Sequence, residues 1–87
     1  MPSDLILLVD DEVSIVQLAQ MYLEREGFRV KSVSDGQAAL DAVGTLHPAL
    51  IVLDVMLPKL DGFEVCKRLR QRDDPAAILM LTARDED

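Results

Sequence analysis

The chain has 87 residues, 49% of them hydrophobic and 29% charged, which is the composition of one small globular domain. Its formal net charge of −7 argues against direct binding of nucleic acid or an anionic membrane, and favours cations and basic partners. A single cysteine, Cys66, excludes an internal disulfide, and without a signal-peptide start or a membrane-length apolar run we expect a cytoplasmic protein.

Segments with helical spacing alternate with strand segments along the whole chain. Three of the strands are continuous apolar runs, as in strands covered on both faces, whereas the second alternates apolar and polar residues like an edge strand. Two of the helices begin with capping-box spacing, at Ser34 and at Asp61, and Gly27 is expected as the C′ residue of the first. In chain order we predict a strand at 5–9, a helix at 13–26, a strand at 28–33, a helix from 34 to about 46, a strand at 50–54, a helix from 61 to the break at 73–75, and a strand at 77–81.

This order predicts an α/β fold with three α/β/α layers, in which a doubly wound parallel sheet has helices on both faces. The buried character of the first, third and fourth strands gives the strand order 2-1-3-4. The first and third strands are then neighbours, so Asp10, Asp11 and Asp54 converge at the carboxyl end of the sheet. That end is where ligands bind in this class of fold.

Three carboxylates in one pocket disfavour one another's ionisation unless a cation is bound. Hard oxygen ligands suit Mg²⁺ or Mn²⁺ rather than Zn²⁺. A carboxylate can also be a nucleophile in phosphoryl transfer, so Asp54 could take that role while Asp10 and Asp11 hold the metal. Thr82, at the end of the adjacent strand, could donate its hydroxyl to a phosphoryl oxygen.

Each of these residues also has an ordinary structural interpretation. Asp11 or Glu12 can cap the first helix. Asp54 can be a strand-end residue solvated by its loop, and Thr82 suits a strand end because it is β-branched. The functional interpretation therefore depends on the conjunction of an acidic pair after strand one, an aspartate after strand three and a threonine after strand four.

That conjunction resembles the receiver domain of two-component response regulators, and the resemblance covers the whole chain. Residues 8–12 match the family's acidic pocket. Residues 53–58 with Asp61-Gly62 match its phosphoacceptor strand and loop, and residues 81–84 match its threonine motif. The Met-Leu-Pro and Thr-Ala-Arg variants of the second and third motifs look most like the OmpR/PhoB-type transcription factors.

The resemblance implies a flavodoxin-like receiver fold and a phosphoacceptor function. Asp54 would be phosphorylated by a sensor histidine kinase, and Thr82 would turn toward the phosphoryl group. The implied ligands of Mg²⁺ (or Mn²⁺) are Asp11, Asp54, the backbone carbonyl of Met56 and, through water, Asp10. Such a domain takes a phosphoryl group from a donor and loses it slowly by itself, and is not an enzyme in the ordinary sense.

The chain departs from the family by ending before the fifth strand, which carries a lysine that reaches the phosphate. We therefore expect residues 1–87 to be an incomplete receiver domain that lacks the C-terminal helix, strand and helix and any effector domain for transcription. The alternative is a receiver-like protein-interaction module without phosphoryl chemistry. A third interpretation, an α/β phosphatase with an aspartyl nucleophile, is disfavoured because Met56 stands where its second aspartate would be.

Two predicted surfaces are candidates for contact with partners. The first helix carries an apolar stripe wider than core burial needs, and Ile15 and Leu18 lie in it as candidate docking residues for the kinase. The strand at 77–81 has no polar alternation, yet it would be an edge of the sheet. An exposed apolar edge can pair with a second copy, which makes a homodimer the other candidate assembly.

Overall fold

The computed structural model describes residues 4–55, 57 and 60–81. Its elements are β1 (Leu5–Val9), α1 (Val13–Arg25), β2 (Arg29–Val33), α2 (Gly36–Leu46), β3 (Leu50–Asp54), α3 (Gly62–Gln71) and β4 (Ala77–Leu81). The predicted alternation of strands and helices is confirmed, and no predicted end differs from the observed one by more than two residues. Within the described ranges, no helix is long and apolar enough to cross a membrane.

The four strands form one parallel sheet in the order β2-β1-β3-β4, as predicted. β1 is central and pairs with two neighbours, so that Ile6 lies opposite Val30 on one side and Leu50 on the other. β3 pairs along its length with β4, which places Asp54 opposite Leu81. The carboxyl ends of β1 and β3 therefore lie side by side.

Helices cover the two faces of this sheet unequally. On one face α2 and α3 enclose the larger core, whose fully buried members include Leu7, Leu40, Ile51, Leu53 and Leu69. On the other face α1 packs through Val16 against the inward side chains of β1. Among the described residues the result is a three-layer fold in which the α1 layer holds one helix and the opposite layer holds two.

The two edges of the sheet differ in character. β2 exposes the polar residues Arg29, Lys31 and Ser32, as its alternating sequence predicts. β4 is the opposite edge, and the burial that its apolar sequence predicts on both faces is wrong: Leu79 is 51% exposed and Leu81 43%. The physical reason is that α1 lies over β1 and β2, and leaves the same face of β4 uncovered in the described part of the chain.

Aspartates cap two of the helices. Asp61 accepts a hydrogen bond from the N–H of Glu64 at 3.0 Å, as its capping spacing predicts. At α2 the prediction of Ser34 as the cap is wrong by one residue. Asp35 takes that position with extended backbone and accepts from the N–H of Ala38 at 2.8 Å.

Candidate metal centre

Three aspartates meet at the carboxyl ends of the two central strands. Asp10 and Asp11 follow β1, and Asp54 is the last residue of β3. One carboxylate oxygen from each residue lies within 4.8 Å of the other two. Asp10 and Asp54 are half-buried and Asp11 is exposed, so the cluster faces solvent from the end of the sheet.

The backbone fixes the position of Asp10. Its N–H donates to the carbonyl of Val33 at 3.2 Å, which continues the pairing of β1 with β2 by one residue. Its carboxylate accepts the N–H of Glu12 at 2.9 Å, which turns the chain into α1. Glu12 is the N-cap residue of α1 but makes no capping hydrogen bond with its side chain. The interpretation of Glu12 as a side-chain cap is therefore wrong, because the side-chain hydrogen bond before α1 is accepted by the Asp10 carboxylate and not by that of Glu12.

The electrostatics of the cluster raise the pKa of Asp10 above the usual value of 3.8. The main cause is desolvation by partial burial, to which the charges of Asp54, Asp11 and Glu12 add, while the hydrogen bond from the Glu12 N–H acts in the opposite direction. An acid with a raised pKa binds its proton more tightly in the folded state than in the unfolded state. Without a cation, the fold therefore loses stability as the pH rises from about the usual aspartate value through the raised pKa.

The chemistry of the cluster fits a hard divalent cation. Mg²⁺ takes oxygen ligands at about 2.0–2.1 Å and usually keeps several waters. One oxygen from each of the three carboxylates lies within 4.8 Å of the other two, so the three residues could share one ion together with water ligands.

A cleft of about 360 Å³ opens beside the carboxylates, between the start of α1 and the end of β2. Its polar lining comprises Asp10, Asp11, Gln17, Gln20, Ser32 and Ser34. The cleft gives water and small ions access to the cluster from the side of β2.

Gly62, the first residue of α3, lies against the strand end that carries Asp54. Its N–H donates to the carbonyl of Val55 at 2.9 Å, and an added Cβ would lie 2.6 Å from the carbonyl oxygen of Asp54. Sequence reasoning placed Gly62 in a motif but missed this contact. The available signal is a glycine at the first helical position after the cap Asp61, where no turn requires a glycine.

Two predicted site residues, Thr82 and Met56, lie outside the described residues. Leu81, which precedes Thr82, pairs with Asp54 in the sheet. The roles of the Thr82 hydroxyl and of the Met56 carbonyl stay predictions.

The predicted docking residues lie on the solvent face of α1. Ile15 and Leu18 are each 53% exposed, and Val13, Met21 and Tyr22 of the same helix are also more than half exposed. Ile15 borders a small apolar depression that reaches Asp10 and Leu81. The apolar stripe of α1 is thus wider than the part that packs on the sheet.

Comparison with known proteins identifies relatives of the chain. A family model described as the response regulator receiver domain matches residues 6–87. The alkaline phosphatase synthesis transcriptional regulatory protein PhoP of Bacillus subtilis is 62% identical over 82 residues, which are 94% of this chain and 34% of that protein. The transcriptional regulatory protein AfsQ1 of Streptomyces coelicolor is 46% identical over 87 residues, 100% of this chain and 37% of that protein. The chain thus spans about a third of the length of these curated relatives.

Solved structures give the same result. The response regulator TrrA of Thermotoga maritima, crystallised in complex with Mg²⁺-BeF, superposes with a TM-score of 0.87 and is 33% identical; the match covers 94% of this chain and 71% of that one. The flavodoxin-like fold and the resemblance to OmpR/PhoB-type regulators are both confirmed. The chain belongs to the response regulator receiver domain family.

Proposed function

We propose that this chain is a phosphoacceptor domain in which Asp54 takes a phosphoryl group from a sensor histidine kinase. The observation that carries the proposal is the convergence of Asp10, Asp11 and Asp54 within 4.8 Å, in a chain of the receiver family. Response regulators receive their phosphoryl groups from sensor histidine kinases. Because the relatives are transcriptional regulators, we propose regulation of transcription as the role of the whole protein.

In the proposed reaction Asp54 donates a carboxylate electron pair to phosphorus. This pair forms the new bond between phosphorus and an Asp54 oxygen, while the bond from phosphorus to the donor breaks and the donor leaves with the electron pair of that broken bond. Asp10 and Asp11 would hold Mg²⁺ together with Asp54 and the Met56 carbonyl, and the ion would neutralise charge on the phosphoryl oxygens. The complex of the related TrrA with Mg²⁺-BeF supports a magnesium site here. The Thr82 hydroxyl would donate to a phosphoryl oxygen.

The metal site is tested by thermal stability. Mg²⁺ is expected to raise the Tm of the wild-type protein, because a ligand that binds only the folded state adds about 2.7 kcal/mol at a hundredfold excess over Kd. Asp11→Asn removes one anionic ligand and is expected to lose most of that increase. Thermal unfolding with Mg²⁺ and with a chelator gives the Mg²⁺-dependent increase in Tm for the wild type and for Asp11→Asn.

The matched control is Asp41→Asn, the same change on the exposed face of α2. This variant is expected to keep the full Mg²⁺-dependent increase. Equal Mg²⁺ shifts in wild type and Asp11→Asn would contradict the metal site.

We propose the exposed face of α1 as the surface that docks the kinase. Ile15→Ala or Leu18→Ala is expected to slow phosphorylation by the kinase about tenfold, since truncating an important contact residue costs more than 1 kcal/mol. Phosphorylation by a small acyl phosphate needs no docking, and its rate is expected to stay near that of wild type. Initial rates with the two donors measure the difference.

Val16 supplies the control on the buried side of the same helix, where its side chain is 9% exposed. Val16→Ala is expected to lower stability without discriminating between the two donors. If Ile15→Ala and Leu18→Ala reduce both rates equally, these residues act in packing and not in docking.

A further inference from the structure

Exposed apolar side chains lie near the acidic cluster on both faces of the sheet. On the α1 face, Ile15 is 53% exposed and Leu81, the last residue of β4, is 43% exposed, and both line a small depression that reaches Asp10. On the other face, Phe63, the second residue of α3, is 64% exposed. The α1 side is already the proposed docking surface for the kinase, whereas Phe63 has no role so far.

The start of α3 lies against the strand that carries Asp54. The N–H of Gly62 donates to the carbonyl of Val55 at 2.9 Å, and a Cβ on Gly62 would lie 2.6 Å from the carbonyl oxygen of Asp54. Phe63 follows Gly62 directly, so the Cα atoms of these two residues are about 3.8 Å apart. An exposed aromatic residue therefore lies next to the strand end that carries the proposed nucleophile.

The packing of α3 on the sheet does not explain the phenylalanine. Val65 and Leu69 are fully buried on the helix face that contacts the core, and Cys66 packs against the same core. Phe63 belongs to neither hydrophobic cluster of the described residues. The helix start is made by Asp61, which accepts the N–H of a later residue. An aromatic ring that the core does not use is typical of protein interfaces, where phenylalanine is enriched.

We propose that Phe63 is a second docking residue for the histidine kinase, on the face of the sheet opposite to α1. The inference rests on the proposed function, because transfer to Asp54 requires the kinase to cover the end of the sheet. A kinase that contacts Ile15 and also reaches Asp54 has crossed from the α1 face to the strand end beside Phe63. Contacts on both faces would fix the orientation of the phosphorylated histidine over Asp54, and correct orientation accelerates the transfer.

The test uses Phe63→Ala and a sensor histidine kinase that phosphorylates the wild-type protein. Transfer from the phosphorylated kinase is expected to slow about tenfold, the effect of losing one important interface side chain. The receiver concentration that gives half of the maximal rate should rise, because the ring contacts the kinase and not the reacting atoms. The rate with a small acyl phosphate and the Tm should stay near those of wild type, since the ring is mostly exposed.

Leu46→Ala is the matched control. Leu46 is also an exposed apolar residue, but it is the last residue of α2, which leads into β3 at the opposite end of the sheet. This variant is expected to keep the wild-type rate with both donors. Phe63→Leu keeps an apolar side chain at the contact and is expected to recover most of the rate with the kinase.

A double variant tests whether one kinase contacts both faces. Ile15 and Phe63 lie on helices on opposite faces of the sheet, and the free-energy effects of separate sites add. Ile15→Ala combined with Phe63→Ala is therefore expected to slow transfer from the kinase about a hundredfold, and to leave phosphorylation by the acyl phosphate near the wild-type rate.

Two results would overturn the inference and leave the proposed function standing. One is a wild-type rate of transfer from the kinase to Phe63→Ala. The other is equal slowing with the kinase and with the acyl phosphate, which would assign Phe63 to the structure of the site and not to docking. If the wild-type protein accepts no phosphoryl group on Asp54 from either donor, the proposed function is overturned, and this inference with it.

Discussion

Asp54→Asn is expected to abolish incorporation of phosphate from a small acyl phosphate in the presence of Mg²⁺. The amide has no anionic oxygen to attack phosphorus, so the rate should fall at least about a thousandfold, as it does when an enzyme loses its nucleophile. Intact mass measured over time gives the rate. Peptide mapping of the wild-type protein gives the position, and hydroxylamine should release the phosphate because it is an acyl phosphate.

Asp61→Asn is the matched control for this prediction, because it makes the same change at the other end of the same loop. Asn caps helices about as well as Asp, so α3 should keep its start and the protein should keep its phosphorylation. Asp10→Asn is expected to slow the reaction without moving the phosphate. Phosphate found on Ser34 or Thr45 would reject Asp54 as the acceptor.

Residues 1–87, studied alone, are expected to self-associate through β4. The strand has no charged residue, its alternate side chains Ala77, Leu79 and Leu81 are exposed, and its outer backbone edge is unpaired within the described part of the chain. Such an edge pairs readily with a second copy. Leu79→Lys puts a charge on the exposed face of the edge and is expected to shift the equilibrium to monomer. Light scattering over a range of concentrations measures the change.

Ser32→Lys makes a similar change at the opposite edge, where β2 already exposes Lys31, and should leave the association unchanged. The prediction would be wrong if residues 1–87 were a well-folded monomer at high concentration with slow amide exchange from Ile78 to Leu81. In a longer protein, further residues can compete for the same edge. Comparing the self-association of residues 1–87 with that of a longer protein therefore identifies what covers β4.

The order of the elements and of the strands could be predicted because each depends on a local pattern. Continuous apolar runs mark β1, β3 and β4, polar alternation marks β2, and the parallel topology then brings Asp10 and Asp54 to the same end of the sheet. This much follows from periodicity and from the handedness of crossovers.

The features that could not be predicted depend on which groups become neighbours in three dimensions. Ser34 and Asp35 are adjacent hydrogen-bond acceptors, and only the path of the chain decides which of them caps α2. The exposure of Leu79 depends on how far α1 reaches across the sheet. The contact of Gly36 with Leu60 joins two segments distant in sequence, for which a lone glycine is a weak signal.

The central position of β1 has a consequence for how the chain folds during synthesis. All five residues of β1 are buried, and both strands that pair with it come later in the chain, after intervening helices. The segment Leu5–Val9 therefore leaves the ribosome before its neighbours, as an uncharged apolar run of high β-propensity, the kind of segment that aggregates while uncovered. Asp4 precedes it and the acidic residues 10–12 follow it. Charges that flank an apolar strand oppose aggregation, so Asp10 and Asp11, which later meet Asp54 in the acidic cluster, are expected first to protect the nascent strand from aggregation.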